Sequence, residues 1–127
     1  MINSVRGDFL VDSGSPVTLI SYEYFEPLGD RKPDLRSVET TLTSAGGNSL
    51  EVIGKSEFRI KLGKHTYNHE ILVVRLGSDR LRGILGMDFL SQKSAVLFSK
   101  SRKLKIGKDS VRLNTDKSRV YSCARIR

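Results

Sequence analysis

Hydrophobic and polar residues alternate over short distances along this chain, and turn residues interrupt them often. The apolar runs at residues 9–11 and 17–20 are short and rich in branched side chains, a composition that favours strands. Residues 57–62 alternate apolar with charged side chains, and residues 65–74 follow the Gly63-Lys64 turn as a returning strand, which predicts an antiparallel hairpin. The pattern therefore predicts a mostly β chain.

Two segments have helical rather than strand-like spacing. Residues 21–28 predict a short helical turn with Ser21 as its cap, because a hydroxyl can accept a hydrogen bond from a free amide at a helix start. We expect Pro27 and Pro33 to end that element and begin a surface loop. Residues 87–93 have room for two helical turns.

A glycine-rich turn separates residues 38–43 from residues 49–53, two runs that read as strands of a second hairpin. The residues of the turn are Ser44, Ala45, Gly46, Gly47 and Asn48. Glycine permits positive φ and lets backbone amides approach another chain closely. The local pattern alone is equally typical of an ordinary β-turn.

A continuous apolar run follows the second helical segment and consists of Ala95, Val96, Leu97 and Phe98. Runs of this kind are typical of strands that are covered on both faces. Residues 103–106 and 111–113 predict one more hairpin. From residue 114 onward the chain is polar and basic, so we predict one domain over residues 1–113 and a basic connector or tail over residues 114–127.

The net charge of +8 comes entirely from the C-terminal part of the chain. Residues 1–98 contain 12 Lys/Arg and 12 Asp/Glu, whereas residues 99–127 contain 10 basic and 2 acidic residues. Such a segment can bind a phosphate backbone, or it can simply be a solvated hairpin and linker, which the lack of interleaved aromatic residues favours. No apolar run reaches the length of about 18 residues that a membrane span needs.

His65 and His69 have the four-residue spacing of a metal pair on a helix. In a strand, a four-residue spacing does not indicate a metal-binding pair, and a structural zinc site needs four ligands. We expect no metal and no cofactor. Cys123 is the sole cysteine, so no internal disulfide can form, which is compatible with a reducing compartment.

Asp12-Ser13-Gly14 places an acidic residue at the end of an apolar strand, where the chain must turn. An unpaired carboxylate is costly to bury, so this one is expected to be exposed or to have partners. Asp-Ser-Gly also describes an ordinary strand-ending turn. A second motif gives it more weight: residues 82–90 read Arg-Gly-Ile-Leu-Gly-Met-Asp-Phe-Leu.

An Asp-Ser-Gly strand followed, after a glycine-rich hairpin, by an Ile-Leu-Gly strand and a helix resembles the retropepsin-like aspartic proteases. The resemblance covers about residues 9–113 and is closest to the proteases of gypsy-class retrotransposon polyproteins. It implies an all-β fold, a closed β-barrel forming one half of an acid protease, with one short helix after the Ile-Leu-Gly strand. The chemistry needs two carboxylates and the chain has one Asp-Ser-Gly, so the resemblance implies a homodimer with an isologous interface.

The resemblance also implies roles for individual residues. Asp12 would be the catalytic acid, Ser13 would bond across to the partner loop, and Gly14 would allow the two loops to approach. Substrate would contact the apolar residues Leu19, Ile84 and Leu85 and the hairpin tip at Ser44, Ala45, Gly46 and Gly47. The subunits would pair through Ala95, Val96, Leu97 and Phe98, together with residues 1–4.

The implied partners are a second copy of the chain and a polypeptide substrate, namely its own Gag-Pol-like polyprotein, in the cytoplasm or in a virus-like particle. Nucleic acid is a further candidate partner for the basic segment, and no membrane partner is expected. Many retroviral enzymes have an ion-pair network near the interface at the positions of Pro16, Val17 and Met87, which cannot form here. The competing interpretation is a dimerisation or peptide-binding module with the same fold and little catalysis.

Overall fold

The computed structural model describes residue 2 and residues 9–43, 49–76, 82–98, 100–114 and 124–126. Its strands are β1 (Phe9–Val11), β2 (Leu19–Ser21), β3 (Leu42–Thr43), β4 (Ser49–Leu62), β5 (His65–Arg75), β6 (Gly83–Leu85), β7 (Val96–Phe98), β8 (Lys103–Ile106), β9 (Asp109–Asn114) and β10 (Ala124–Ile126). Its helices are α1 (Tyr22–Phe25), a 3-10 helix (Glu26–Arg31) and α2 (Met87–Gln92). In the described part of the chain, no helix has the length and hydrophobicity to cross a membrane.

The strands form one curled sheet in the order β3-β4-β5-β2-β6-β1-β10-β9-β8-β7. At its centre, β2 is parallel to β5 and antiparallel to β6, while β1 is parallel to β6. This arrangement places the carboxyl end of β1 beside the carboxyl end of β6. The mostly β fold is confirmed, whereas the closed barrel is not, because β3 and β7 are the two ends of the sheet among the described strands.

The longest hairpin joins β4 to β5 around Gly63-Lys64, as the alternating pattern predicts. Gly63 has a φ of 62°, a left-handed conformation that glycine adopts without strain. The hairpin extends further than predicted, since β4 continues back to Ser49 across a register shift between Val52 and Gly54.

The strand predicted over residues 38–43 is shorter in the structure, where β3 contains only Leu42 and Thr43. Just before this segment, the backbone of Arg36 exchanges two hydrogen bonds with Lys55, of 2.8 and 3.0 Å. The chain therefore contacts β4 at Arg36, leaves the sheet, and pairs again only at Leu42. The hairpin tip, including Ser44, Ala45, Gly46 and Gly47, lies outside the described residues.

The helical turn after β2 begins as predicted, with the Ser21 hydroxyl accepting a hydrogen bond of 3.1 Å from the Tyr24 amide. Pro27 does not itself end the helical segment, because it lies in the first turn of the 3-10 helix. Proline is tolerated there because its missing N–H has no helical partner to lose. The helical backbone is interrupted at Gly29, with φ of 59° and ψ of −122°, directly after the predicted helical turn over residues 21–28.

Helices α1 and α2 pack aromatic side chains against the sheet and close the core. Phe25 contacts Phe58 edge to face at 6.2 Å between ring centroids, and Phe89 is fully buried. Phe9, at the start of β1, contacts Tyr24 edge to face at 5.4 Å. These contacts fix β1, and with it the turn that follows, against the body of the chain.

Strands β8 and β9 form the predicted C-terminal hairpin. Its buried side chains are Leu104, Ile106, Val111 and Leu113. The strand β7 is different, since Val96, Leu97 and Phe98 are 49%, 40% and 46% exposed. The expectation that this run is covered on both faces is therefore wrong for a single chain.

The C-terminal segment includes one strand that the sequence pattern does not predict. The strand β10 pairs antiparallel with β1 on one side and with β9 on the other. Residues 115–123 lie outside the described residues. The domain boundary at residue 113 stays a prediction.

Candidate active site

Asp12 is the first residue after β1, and three hydrogen bonds hold its turn, two within the turn and one to β6. The Asp12 amide donates to the Leu85 carbonyl at 3.0 Å, and the Ser15 amide donates to the Asp12 carbonyl at 3.1 Å. The Gly14 amide donates to the Asp12 carboxylate oxygen Oδ1 at 2.9 Å. The Asp12 side chain is half-buried, while Ser13 and Gly14 are exposed. The turn thus presents a partly anchored carboxylate at the protein surface.

The turn rests directly on the junction between β6 and α2. The Met87 amide donates to the Ser15 carbonyl at 2.7 Å. A Cβ on Gly86 would lie 2.2 Å from the Val17 carbonyl oxygen and 2.7 Å from that of Ser15, distances that real Cβ atoms do not reach. Gly86 is therefore the residue that lets the two motifs of the sequence pack backbone to backbone.

A polar network below this junction joins three side chains that the sequence analysis did not connect. The Thr18 hydroxyl donates to Asp88 Oδ1 at 2.7 Å and accepts from the Gly86 amide at 3.0 Å. His69 Nε2 lies 3.0 Å from Asp88 Oδ2. Thr18 and His69 are 1% and 6% exposed. The available signal was a hydroxyl and an imidazole within apolar strands, but neither position indicates its partner.

Asp88 lies in the first turn of α2, where the helix dipole favours a negative charge. Its Oδ1 does accept a hydrogen bond of 2.7 Å from the Phe89 amide, and the contacts with Thr18 and His69 add to this. Burial acts to raise the pKa of Asp88, but the hydrogen bonds from Thr18, His69 and Phe89 together lower the pKa below its ordinary value. The network thus favours the charged carboxylate.

We expect Asp88→Asn to lower the free energy of unfolding by about 1–3 kcal/mol at neutral pH, the usual cost of disturbing a buried hydrogen-bond set. A lowered pKa in the folded state stabilises the fold above the ordinary carboxyl pKa, and this contribution is lost as the pH falls through the lowered value. The difference in the free energy of unfolding between wild type and variant should therefore decrease at acidic pH. Urea unfolding from pH 7 to pH 2.5 measures it, with exposed Asp34→Asn as the control. A difference that is constant across this range would contradict the assignment.

The predicted substrate residues lie near the turn but differ in exposure. Leu19 and Leu85 are 4% and 2% exposed, so their side chains belong to the core of the single chain, whereas Ile84 is half-buried. Their contact with substrate stays a prediction. Ile84 belongs to a more accessible set of half-buried apolar residues that pack with Leu19, and its other members are Val17, Val38, Leu42, Val52 and Leu76.

A groove of about 220 Å³ leads from the turn to β7. Its lining residues include Ser13 of the turn, Met87 and Leu90 of α2, and Leu97 of β7. The predicted pairing strand and the predicted catalytic loop therefore share one continuous, largely apolar surface, which we call the turn–β7 surface.

The two histidines of β5 do not act together. His69 contacts Asp88, whereas His65 contacts Asp109 at the start of β9. Each imidazole thus has its own carboxylate partner. In the described part of the chain, His, Cys, Asp and Glu side chains form no group of three or more that could hold a metal ion.

Comparison with known proteins agrees with this geometry. The model of the family described as "Aspartyl protease" matches residues 1–89, which include the Asp12 turn, β6 and the start of α2. A crystal structure of the retroviral protease-like domain of Ddi1 from Leishmania major superposes with a TM-score of 0.69 at 20% identity, covering 88% of this chain and 87% of that one. The structural likeness shows the retropepsin-like fold, and the family match covers most of the chain. The chain therefore belongs to the aspartyl protease family.

Proposed function

We propose that this protein is a homodimeric aspartic endopeptidase in which two copies of Asp12 activate one water molecule. The observation that carries the proposal is the exposed Asp-Ser-Gly turn docked on the Ile-Leu-Gly strand, with the Asp12 amide bonded to Leu85. The full sequence contains one such motif. The proposal therefore takes the second carboxylate from a second copy of this chain.

Two carboxylates a few ångströms apart cannot both be ionised at low cost, so the pair shares one proton. The ionised member accepts a proton from the water, and the protonated member donates to the peptide carbonyl. Water attacks the carbonyl carbon, and the two carboxyls exchange roles when the amine leaves. The titration belongs to the pair, and activity should peak below neutral pH.

The apolar residues around Ile84 fit an extended polypeptide with bulky apolar side chains beside the cut. Such a peptide would bind by strand-like pairing of its main chain. The resemblance to gypsy-class retrotransposon proteases favours the parent polyprotein as the substrate. Processing would then take place in the cytoplasm or within a virus-like particle.

The turn–β7 surface supports pairing between copies of the chain. Val96, Leu97 and Phe98 are consecutive, apolar and 40–49% exposed at one end of the sheet. Exposed apolar strands at a sheet edge are usually covered by a partner. Covering this strand with its two-fold mate is consistent with an isologous interface close to Ser13.

Sedimentation over a concentration series, paired with cleavage of the parent polyprotein, tests the proposal. We expect cleavage per chain to rise with concentration in step with the dimer fraction. A statine-type inhibitor, which imitates the tetrahedral intermediate, should block cleavage and shift the sedimentation towards dimer. A dimer that cleaves nothing and ignores the inhibitor would instead support a non-catalytic binding module.

A further inference from the structure

We propose that His69 and Asp88 are positioning residues that hold the Asp12 turn in its working geometry through Thr18. The effect on hydrolysis rests on the proposed function, whereas the effect on the turn does not. His69 lies outside both sequence motifs of the active site, whereas Asp88 lies within the second motif at residues 82–90. Their imidazole and carboxylate belong to the polar network described above.

The first step is that His69 fixes the position of the Asp88 carboxylate. The side chain of His69 is 5% exposed, and its Nε2 lies 3.0 Å from Asp88 Oδ2. Its ring also contacts the Phe89 ring edge to face at 5.2 Å, which restricts rotation of the imidazole. Because Asp88 is at the beginning of a short helix, this contact ties the helix start to the middle of β5.

The second step is that Asp88 fixes the Thr18 hydroxyl. Oδ1 of Asp88 accepts the hydroxyl proton at 2.7 Å, and the same oxygen of Thr18 accepts from the Gly86 amide at 3.0 Å. A hydroxyl has one proton to donate, so both bonds can form only in one orientation. Thr18 thereby bridges the end of the turn to the β6–α2 junction.

The third step is that the β6–α2 junction holds the Asp12 turn through two backbone hydrogen bonds. The Asp12 amide donates to Leu85 at 3.0 Å, and the Met87 amide donates to Ser15 at 2.7 Å. A displacement of the β6–α2 junction relative to β2 therefore moves both attachment points of the turn. Since catalytic groups lose about a hundredfold in rate when misplaced by an ångström, a network that fixes this junction affects the chemistry without contact with substrate.

The test compares His69→Leu, which removes the ring nitrogen, with His69→Gln, whose amide can donate from nearly the same position. We expect His69→Leu to lower kcat about tenfold or more with little change in KM, and His69→Gln to recover most of that loss. Thr18→Val, which removes the hydroxyl at nearly constant volume, should lower kcat in the same way. The matched control is His65→Leu, a histidine of the same strand with its own carboxylate partner, which should leave kcat unchanged.

Hydrogen exchange supplies a readout that does not need activity. In His69→Leu and Thr18→Val, the amides of Asp12, Ser15 and Met87 should exchange faster, while amides in the β4–β5 hairpin near Gly63 keep their wild-type rates. Equal loss in His69→Gln and His69→Leu, or unchanged exchange at these three amides, would overturn the proposal. If the wild-type protein cleaves no peptide, the proposed function fails, and the exchange rates alone decide this inference.

Discussion

Replacing Asp12 with Asn is expected to abolish peptide hydrolysis while leaving the chain folded and dimeric. The Asn side chain retains an oxygen that can accept the 2.9 Å hydrogen bond from the Gly14 amide. The backbone bond from residue 12 to Leu85 is also unaffected. An amide can neither accept the water proton nor donate as a carboxylic acid does, so the loss should be at least about 10²–10⁴-fold. Cleavage of the parent polyprotein, followed over time, measures it.

The control is Asp34→Asn, which makes the same change at an exposed loop residue and should keep full activity. Mixing gives a sharper test, because a mixed dimer has only one Asp12. Under conditions of complete dimerisation, a roughly ninefold excess of Asp12→Asn should reduce wild-type activity to about a tenth by random pairing of subunits. Undiminished activity in the mixture would show that one chain suffices and would refute the shared dyad.

Local signals in the sequence account for most of the fold that positions the site. Gly63-Lys64 correctly predicts the turn of the long hairpin, and Ser21 correctly predicts a helix cap. Asp12 and Leu85 belong to recognisable motifs, and the structure joins them by a backbone hydrogen bond. The turn, the cap and each of the two motifs depend on short segments, for which spacing and residue type carry enough information.

Features that depend on contacts between residues far apart in the sequence could not be predicted from local patterns. Thr18 and Asp88 are 70 residues apart, and His69 is 19 residues from Asp88. Each is an ordinary polar residue in its own segment, and the network exists only because β2, β5 and α2 meet. The shortened β3 is also not evident from alternation, since the chain contacts β4 at Lys55 through Arg36 and pairs with it again only from Leu42.

Introducing a charge into β7 is expected to break the dimer without unfolding the chain. Leu97→Glu and Phe98→Glu change residues that are 40% and 46% exposed in the single chain, so the monomer loses little burial. In a dimer that covers this strand, each change would bury two carboxylates at the interface. Loss of a central interface residue typically costs 2 kcal/mol or more, which raises the dissociation constant by about thirtyfold. Sedimentation at several concentrations measures it.

The matched control is Lys105→Glu, which places the same carboxylate on an exposed position of the adjacent strand, opposite Val96. It should leave the dissociation constant within about threefold of wild type, as exposed charges usually have small effects. Activity measurements distinguish a loss of dimerisation from a loss of catalysis. Leu97→Glu should be inactive in dilute solution and should recover activity as the protein concentration increases, because its Asp12 is intact. Asp12→Asn should not recover at any concentration. A monomeric Leu97→Glu protein with full activity would contradict pairing through β7, because dissociated chains would then carry out the reaction assigned to two.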